Sequence, residues 1–168
     1  MMLAMTGPAM ELQSDCTRCA GLCCAAFAFE PGPDFADDKP AGEACRHLTA
    51  THRCSIHAER TAAGYGGCIG YECLGAGQTA TALFPAAHAD EPAALRRARF
   101  ESFRILRTIH ALAVALERPD MPAAVARELR AQLMPAEGWS YSGLLDFDRS
   151  EMRSSILSRI AGALRQVA

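Results

Sequence analysis

Residues 16–24 read Cys16-Thr17-Arg18-Cys19-Ala20-Gly21-Leu22-Cys23-Cys24, four cysteines in one short run. Two residues between Cys16 and Cys19 make a turn that aims both thiolates at one ion, which is why this separation recurs in zinc and iron–sulfur sites. On a helix, Cys16, Cys19 and Cys23 would share a face at spacings of three and four, with Cys24 beside them. Adjacent Cys23 and Cys24 point in different directions in most backbone conformations. The pair is therefore expected either to serve two sites or to leave one thiol spare.

Outward from this run, Cys45, Cys54, Cys68 and Cys73 complete a set of eight, and no cysteine lies outside 16–73. All eight are candidate metal ligands. Eight thiolates match two four-ligand sites, or one site with the remainder structural. Soft sulfur ligands favour zinc, iron–sulfur clusters or cuprous ion over calcium, magnesium or manganese. His47, His52 and His57 lie among the cysteines, His57 being the best placed to replace a thiolate, but eight sulfurs make histidine ligands unnecessary. Asp34, Asp37 and Asp38 lack the positional pattern of a calcium loop and read as a solvated turn. His110 reads as a hydrogen-bonded histidine at the edge of a helical core.

The compartment decides how the cysteines are read. The chain opens without a basic region followed by an apolar core and a cleavage site, so secretion is not expected and a cytoplasmic location is. In a reducing cytosol a cysteine-dense segment is more often metal-binding or catalytic than disulfide-bonded. A secreted domain with four disulfides is the alternative. A redox dithiol at Cys16 and Cys19 would require a strand-to-helix context that the pattern lacks.

The fold expected from these 168 residues is mainly α, with an irregular cysteine-rich module packed on a small three-helix bundle. Residues 1–13 read as a disordered tail, 14–78 as the module and 92–168 as the helical region. The module is rich in Pro and Gly and poor in periodic apolar residues, so it needs staples in place of a core. A first helix runs from about Pro92, with Leu95, Phe103, Leu106, Ile109, Ala113 and Leu116 at helical spacing, until Pro119. A second is expected from an Asp120 cap through Val125, Leu129 and Leu133 to Pro135. A third is expected from an Asp148 cap with Glu151 three residues on, followed by Met152, Ile156, Ile160 and Leu164. Trp139, Tyr141, Leu144, Leu145 and Phe147 are expected to plug the bundle from a connection.

The net charge of −2 predicts no general attraction to nucleic acid. Residues 1–89 hold 5 basic against 9 acidic side chains, and residues 90–168 hold 12 against 10. The basic surplus on the long helix, Arg96, Arg97, Arg99, Arg104 and Arg107, is too small for a nucleic-acid footprint. No apolar stretch is long enough to span a bilayer. No nucleophile with its base stands out, and Gly75-Ala76-Gly77-Gln78 lacks a full phosphate-binding pattern, so no catalytic residue is named and an enzyme is not the leading expectation.

The run C-x-x-C-x-G-L-C-C, Cys45 followed by His47-Leu48, the stretch Cys54-Ser55-Ile56-His57 with Arg60, and the pair Cys68 and Cys73 resemble the bacterial zinc- or iron-chelating domains of the CxxCxxxCC type. The chain departs from that pattern at His57 and Thr61, where the wider family often has an aromatic residue and a proline. Asp38-Lys39-Pro40-Ala41-Gly42 and Tyr71-Glu72-Cys73-Leu74-Gly75-Ala76-Gly77-Gln78 look closer still to the N-terminal region of actinobacterial pentapeptide-repeat proteins, in which a similar module precedes a helical stretch. No pentapeptide repeat occurs in these 168 residues. The resemblance implies metal chelation by the cysteines. The expected function is a cytosolic metal-binding protein, holding zinc or an iron–sulfur cluster, with a structural, storage or interaction role and a protein partner on the helical region. An iron–sulfur redox sensor or enzyme is the other class.

Overall fold

The computed structural model describes residues 10–84, 87 and 91–165. It is mainly helical, as expected: α1 (Leu22–Ala26), α2 (Gly67–Gly70), α3 (Ala76–Ala82), α4 (Ala93–Ala115), α5 (Ala123–Leu133), α6 (Tyr141–Arg149) and α7 (Met152–Arg165). Among the described residues extended pairing is limited to two isolated antiparallel bridges, Phe29 with Lys39 and Leu48 with Cys54. No described helix is long and apolar enough to cross a membrane.

α4 is the axis of the molecule. Phe103, Leu106, Ile109 and Ala113 are buried at steps of three and four, and Ile105 and Leu112 widen the apolar face because neighbours pack on several sides. It closes with the Leu116 N–H on the Ala113 carbonyl and the Glu117 N–H on the Val114 carbonyl, and Pro119 forbids continuation. α5 covers α4 with Leu129 and Leu133. It begins after Pro122 without a side-chain cap, because the Asp120 carboxylate is held by Arg118 at 2.7 Å, which corrects the expected Asp120 cap.

The helical region has four helices, not three. The aromatic stretch expected as a connection is α6, which starts where Ser140 Oγ accepts the Gly143 N–H at 3.1 Å. Its Leu144 and Phe147 are buried, and Trp139 sits edge-on to Phe147 while donating to the Leu133 carbonyl at 2.9 Å. Asp148 lies inside α6 and pairs with Arg104 of α4 at 2.6 Å, so it does not cap the last helix. α7 follows a break at Ser150, whose hydroxyl accepts the Met152 N–H at 3.3 Å, and buries Ile156, Ile160 and Ala163.

The cysteine-rich half is attached through α3. Ala76 to Ala80 are all buried, and the small side chains let this helix lie close against α4. Its polar groups are satisfied locally: Thr79 Oγ1 donates to the Gly75 carbonyl at 3.0 Å, and Gln78 donates to the Gln13 carbonyl at 2.8 Å while accepting from the Asp15 N–H at 3.1 Å. Met10 and Leu12 pack against the same core, while residues 1–9 of the expected tail lie outside the described residues. A second, aromatic cluster lies under the Pro-rich loop. Phe29 and Phe35 stack at 4.5 Å, and Tyr65 stands edge-on to both and donates to Asp37. Asp37 also pairs with Arg46 at 3.0 Å.

Two buried polar features of α4 make checkable statements about stability. Arg99 pairs with Glu91 at 2.9 Å, with both side chains almost wholly inaccessible. Removing one partner of a buried pair leaves an uncompensated charge, so Glu91→Ala is expected to destabilise by roughly 3–5 kcal/mol, while Glu91→Leu combined with Arg99→Met costs much less. Denaturant unfolding of the two variants checks this. His110 donates its Nδ1–H to the Leu74 carbonyl, and burial holds its pKa below the usual histidine value. A lowered pKa means that the unfolded chain binds the proton more readily, so this contribution is full above about pH 6.5 and is lost as pH falls through the folded-state value. Melting temperature followed from pH 7.5 to 5.5 is expected to fall more steeply for the wild type than for His110→Gln.

Candidate metal site

The eight cysteines come from five places in the chain, and all but the exposed Cys16 are partly buried. Cys16 opens a 3-10 turn, Cys16–Arg18, capped by Asp15, whose carboxylate accepts from the Thr17 N–H at 2.8 Å and from Arg18 Nε at 2.7 Å. The hydrogen bonds from Thr17, then those from Arg18, pull the Asp15 pKa down to about 2. The turn closes with the Cys19 N–H on the Cys16 carbonyl at 3.4 Å. Gly21 then adopts a φ of 69°, and a Cβ there would stand 2.6 Å from a Leu48 methyl, which explains the glycine of C-x-x-C-x-G-L-C-C. α1 carries Cys23 and Cys24, whose sulfurs are 3.9 Å apart.

The downstream cysteines are brought back by backbone bonds. Cys45 donates its N–H to the Cys24 carbonyl at 2.8 Å. Leu48 N–H bonds the Cys45 carbonyl at 2.8 Å, and Leu48 is bridged to Cys54. Cys68 sits in α2, with its carbonyl held by Arg60 at 3.2 Å. Cys73 precedes α3, and its sulfur lies 2.9 Å from Ser14 Oγ.

A cavity of about 550 Å³ collects seven of the eight: Cys16, Cys19, Cys23, Cys24, Cys45, Cys54 and Cys68. Cys73 faces an adjoining small crevice that Cys16, Cys19 and Cys23 also line. All eight are free thiols. They line the walls without meeting at a point: among the described residues no three His, Cys, Asp or Glu side chains stand close enough to hold one ion. The donor set nonetheless fits a soft metal, because no carboxylate lines the large cavity. Burial raises the pKa of Cys19 and Cys68, and that of Cys16 together with its neighbours Cys23, Cys19 and Cys73. The hydrogen bond to Cys24, then burial, raises that of Cys23. Without metal these four are therefore neutral thiols, and a metal entering here displaces protons.

Of the histidines, His52 and His57 border the cavity, whereas His47 stands edge-on to Tyr65 and His110 is buried against Leu74. The wall also contains Arg53, Arg60 and Arg107. Arg53 donates to the Cys16 and Thr17 carbonyls, the latter at 2.6 Å, and Arg107 lies 5.2 Å from the centre of the Tyr71 ring. Lys39 is buried and donates to the Glu43 carbonyl at 2.7 Å, with Cys24 and Cys45 nearby; burial holds its pKa down. Sequence reasoning did not assign these cations to the site. Arg53 adjoins Cys54 and could have been suspected, and Arg60 stood in the motif that begins at Cys54. Arg107 lies far along the chain on α4, and no local signal points to it.

No family model matches the chain, and no solved structure matches it. One curated relative does. The uncharacterized protein YybG of Bacillus subtilis (strain 168) is 47% identical over 68 residues. That match takes in 40% of this chain and 24% of the relative, so the shared segment spans about a quarter of the relative's length.

One glycine tests the packing around the sulfurs. A Cβ on Gly77 of α3 would stand 2.8 Å from Cys19 Sγ and 3.5 Å from Cys73 Sγ. Gly77→Ala is expected to cost about 1–3 kcal/mol by overpacking and to raise the reactivity of Cys19 and Cys73 toward an alkylating reagent. Unfolding curves and mass-resolved alkylation measure the two effects.

Proposed function

We propose that this chain binds metal through its cysteines, as zinc or as an iron–sulfur cluster, and that the bound metal has a structural, storage or interaction role in the cytoplasm. The observation that carries this reading is the convergence of cysteines from five separate parts of residues 16–73 on one cavity and its adjoining crevice. Thiols would not gather from such distant positions for packing alone, because isolated buried cysteines serve that purpose anywhere in a core. Metal entry draws the thiols in from the walls, with proton release, and supplies folding free energy to a segment that has little apolar core of its own. Met152 and Leu157 of α7 are large apolar side chains left exposed, which suits a protein partner on the helical region.

The size of the cavity favours a second reading. A space of about 550 Å³ exceeds what an ion fills, and Arg107, His52 and His57 on its wall could meet a small molecule beside a cluster with an open position. That arrangement belongs to a redox sensor or an enzyme.

Elemental analysis and acid-labile sulfide on anaerobically purified protein, with its visible spectrum, test the proposal. At least one metal equivalent per chain is expected. Cys16→Ser and Cys19→Ser should each lower the metal content and the melting temperature. Less than one equivalent, no charge-transfer absorption and eight freely titrating thiols would overturn it.

A further inference from the structure

We propose that the eight cysteines form two separate four-thiolate sites, Cys16, Cys19, Cys23 and Cys73 in one and Cys24, Cys45, Cys54 and Cys68 in the other, which meet at the bond between Cys23 and Cys24. This rests on the metal-binding reading and deepens it.

The first set is defined by the crevice against α3 and α4. Its wall contains Cys16, Cys19, Cys23 and Cys73 with Asp15, Gln78 and Phe103, and none of the other four cysteines. Cys19 and Cys73, though far apart in sequence, straddle one residue: their sulfurs lie 2.8 and 3.5 Å from where a Cβ on Gly77 would be. Cys19, Cys23 and Cys73 all pack against the hydrophobic core. Cys16 is tied to Cys19 by the 3-10 turn.

The second set is defined by the loop between α1 and α2. The Cys45 N–H on the Cys24 carbonyl, the Leu48 N–H on the Cys45 carbonyl and the Leu48–Cys54 bridge lock three of its members into one short path. Cys68 reaches the same wall from α2. On α1, Cys23 packs against the hydrophobic core, while Cys24 is tied to the loop through its carbonyl, which accepts the Cys45 N–H.

Charge supports the same division. Four thiolates around a divalent ion leave a net charge of about −2 at each site, which a buried location tolerates only with cations near it. Arg53 bonds the Cys16 and Thr17 carbonyls of the first set. Lys39, beside Cys24 and Cys45, and Arg60, on the Cys68 carbonyl, serve the second.

The experiment is stepwise removal of metal from the anaerobically purified protein with a chelator, followed by native mass spectrometry and alkylation of the exposed thiols. A species retaining half the metal is expected, whatever the metal is, in which the labelled cysteines are one complete set and the protected ones the other. Cys73→Ser and Cys45→Ser should each retain half the wild-type content, and the variant carrying both should retain none. Release of all metal in one step, or a half-loaded species whose labelled cysteines mix the two sets, overturns the division while leaving metal binding intact. Protein purified without metal overturns both. Because the half-loaded species is made from wild-type protein, misfolding of a variant does not obscure the result.

Discussion

The seat of α3 on α4 is the constraint on which the rest depends. Residues 14–78 contain too few apolar side chains to fold around a core of their own, and their order is borrowed from the bundle through one short helix that is buried from Ala76 to Ala80. α3 can be buried because it is built of Ala, Gly, Thr and Gln. The small residues allow close approach, and each polar side chain is satisfied within reach, by Gly75, Gly77, Gln13 or Asp15. Thr81 extends the connection, since its hydroxyl also accepts the Ala20 N–H at 3.0 Å and so ties the first cysteine run to α3. A larger apolar helix here would bury more area but would push the thiols of Cys19 and Cys73 away from it.

Electrostatics sets a second limit on what residues 16–73 can be. Thiolates crowded along one cavity repel one another and are costly to desolvate, unless a metal and nearby cations neutralise most of the charge. Arg53, Arg60, Arg107 and Lys39 surround the cysteines, and carboxylates are absent from the large cavity's wall. The overall charge of the cysteine-rich half is negative, so this local excess of cations runs against its composition. Asp37 is taken up by Arg46 and Tyr65, and Asp15, which lines the adjoining crevice, is held by Thr17 and Arg18.

What could be read from the sequence follows the range of the interactions. α4 and α5 were legible at both ends because apolar spacing and flanking prolines are local signals. α6 was hidden because its aromatic and aliphatic residues crowd together and read as filler, although Ser140 as cap and the Leu144–Phe147 spacing were there to be used. Asp120 and Asp148 look like caps in sequence, and both are diverted by arginines, one of them on another helix. α3 was missed because Gly75-Ala76-Gly77-Gln78 has no apolar periodicity; its burial is decided by α4. For the site, the residue type and spacing singled out all eight cysteines, but their grouping depends on how the chain returns after Cys24. Lys39 and Arg107 join the site only through that return.

The link between the sulfurs and the bundle runs through two residues. Leu74 and Gly75 both take left-handed conformations, with φ of 54° and 80°, and for the leucine this costs roughly 1–2 kcal/mol. The surroundings hold it there. The Leu74 N–H donates to the Glu72 carboxylate at 2.7 Å, and its carbonyl accepts from His110 on α4. At Gly75 a Cβ would collide with the Glu11 carbonyl, so no other residue fits. This turn is what sets Cys73 beside Gly77 at one end and docks α3 on α4 at the other. Cys73 therefore sits one residue from the backbone that His110 fixes from the bundle side. The cysteines and the helical region are joined through this unfavourable conformation, which contacts from both sides hold in place.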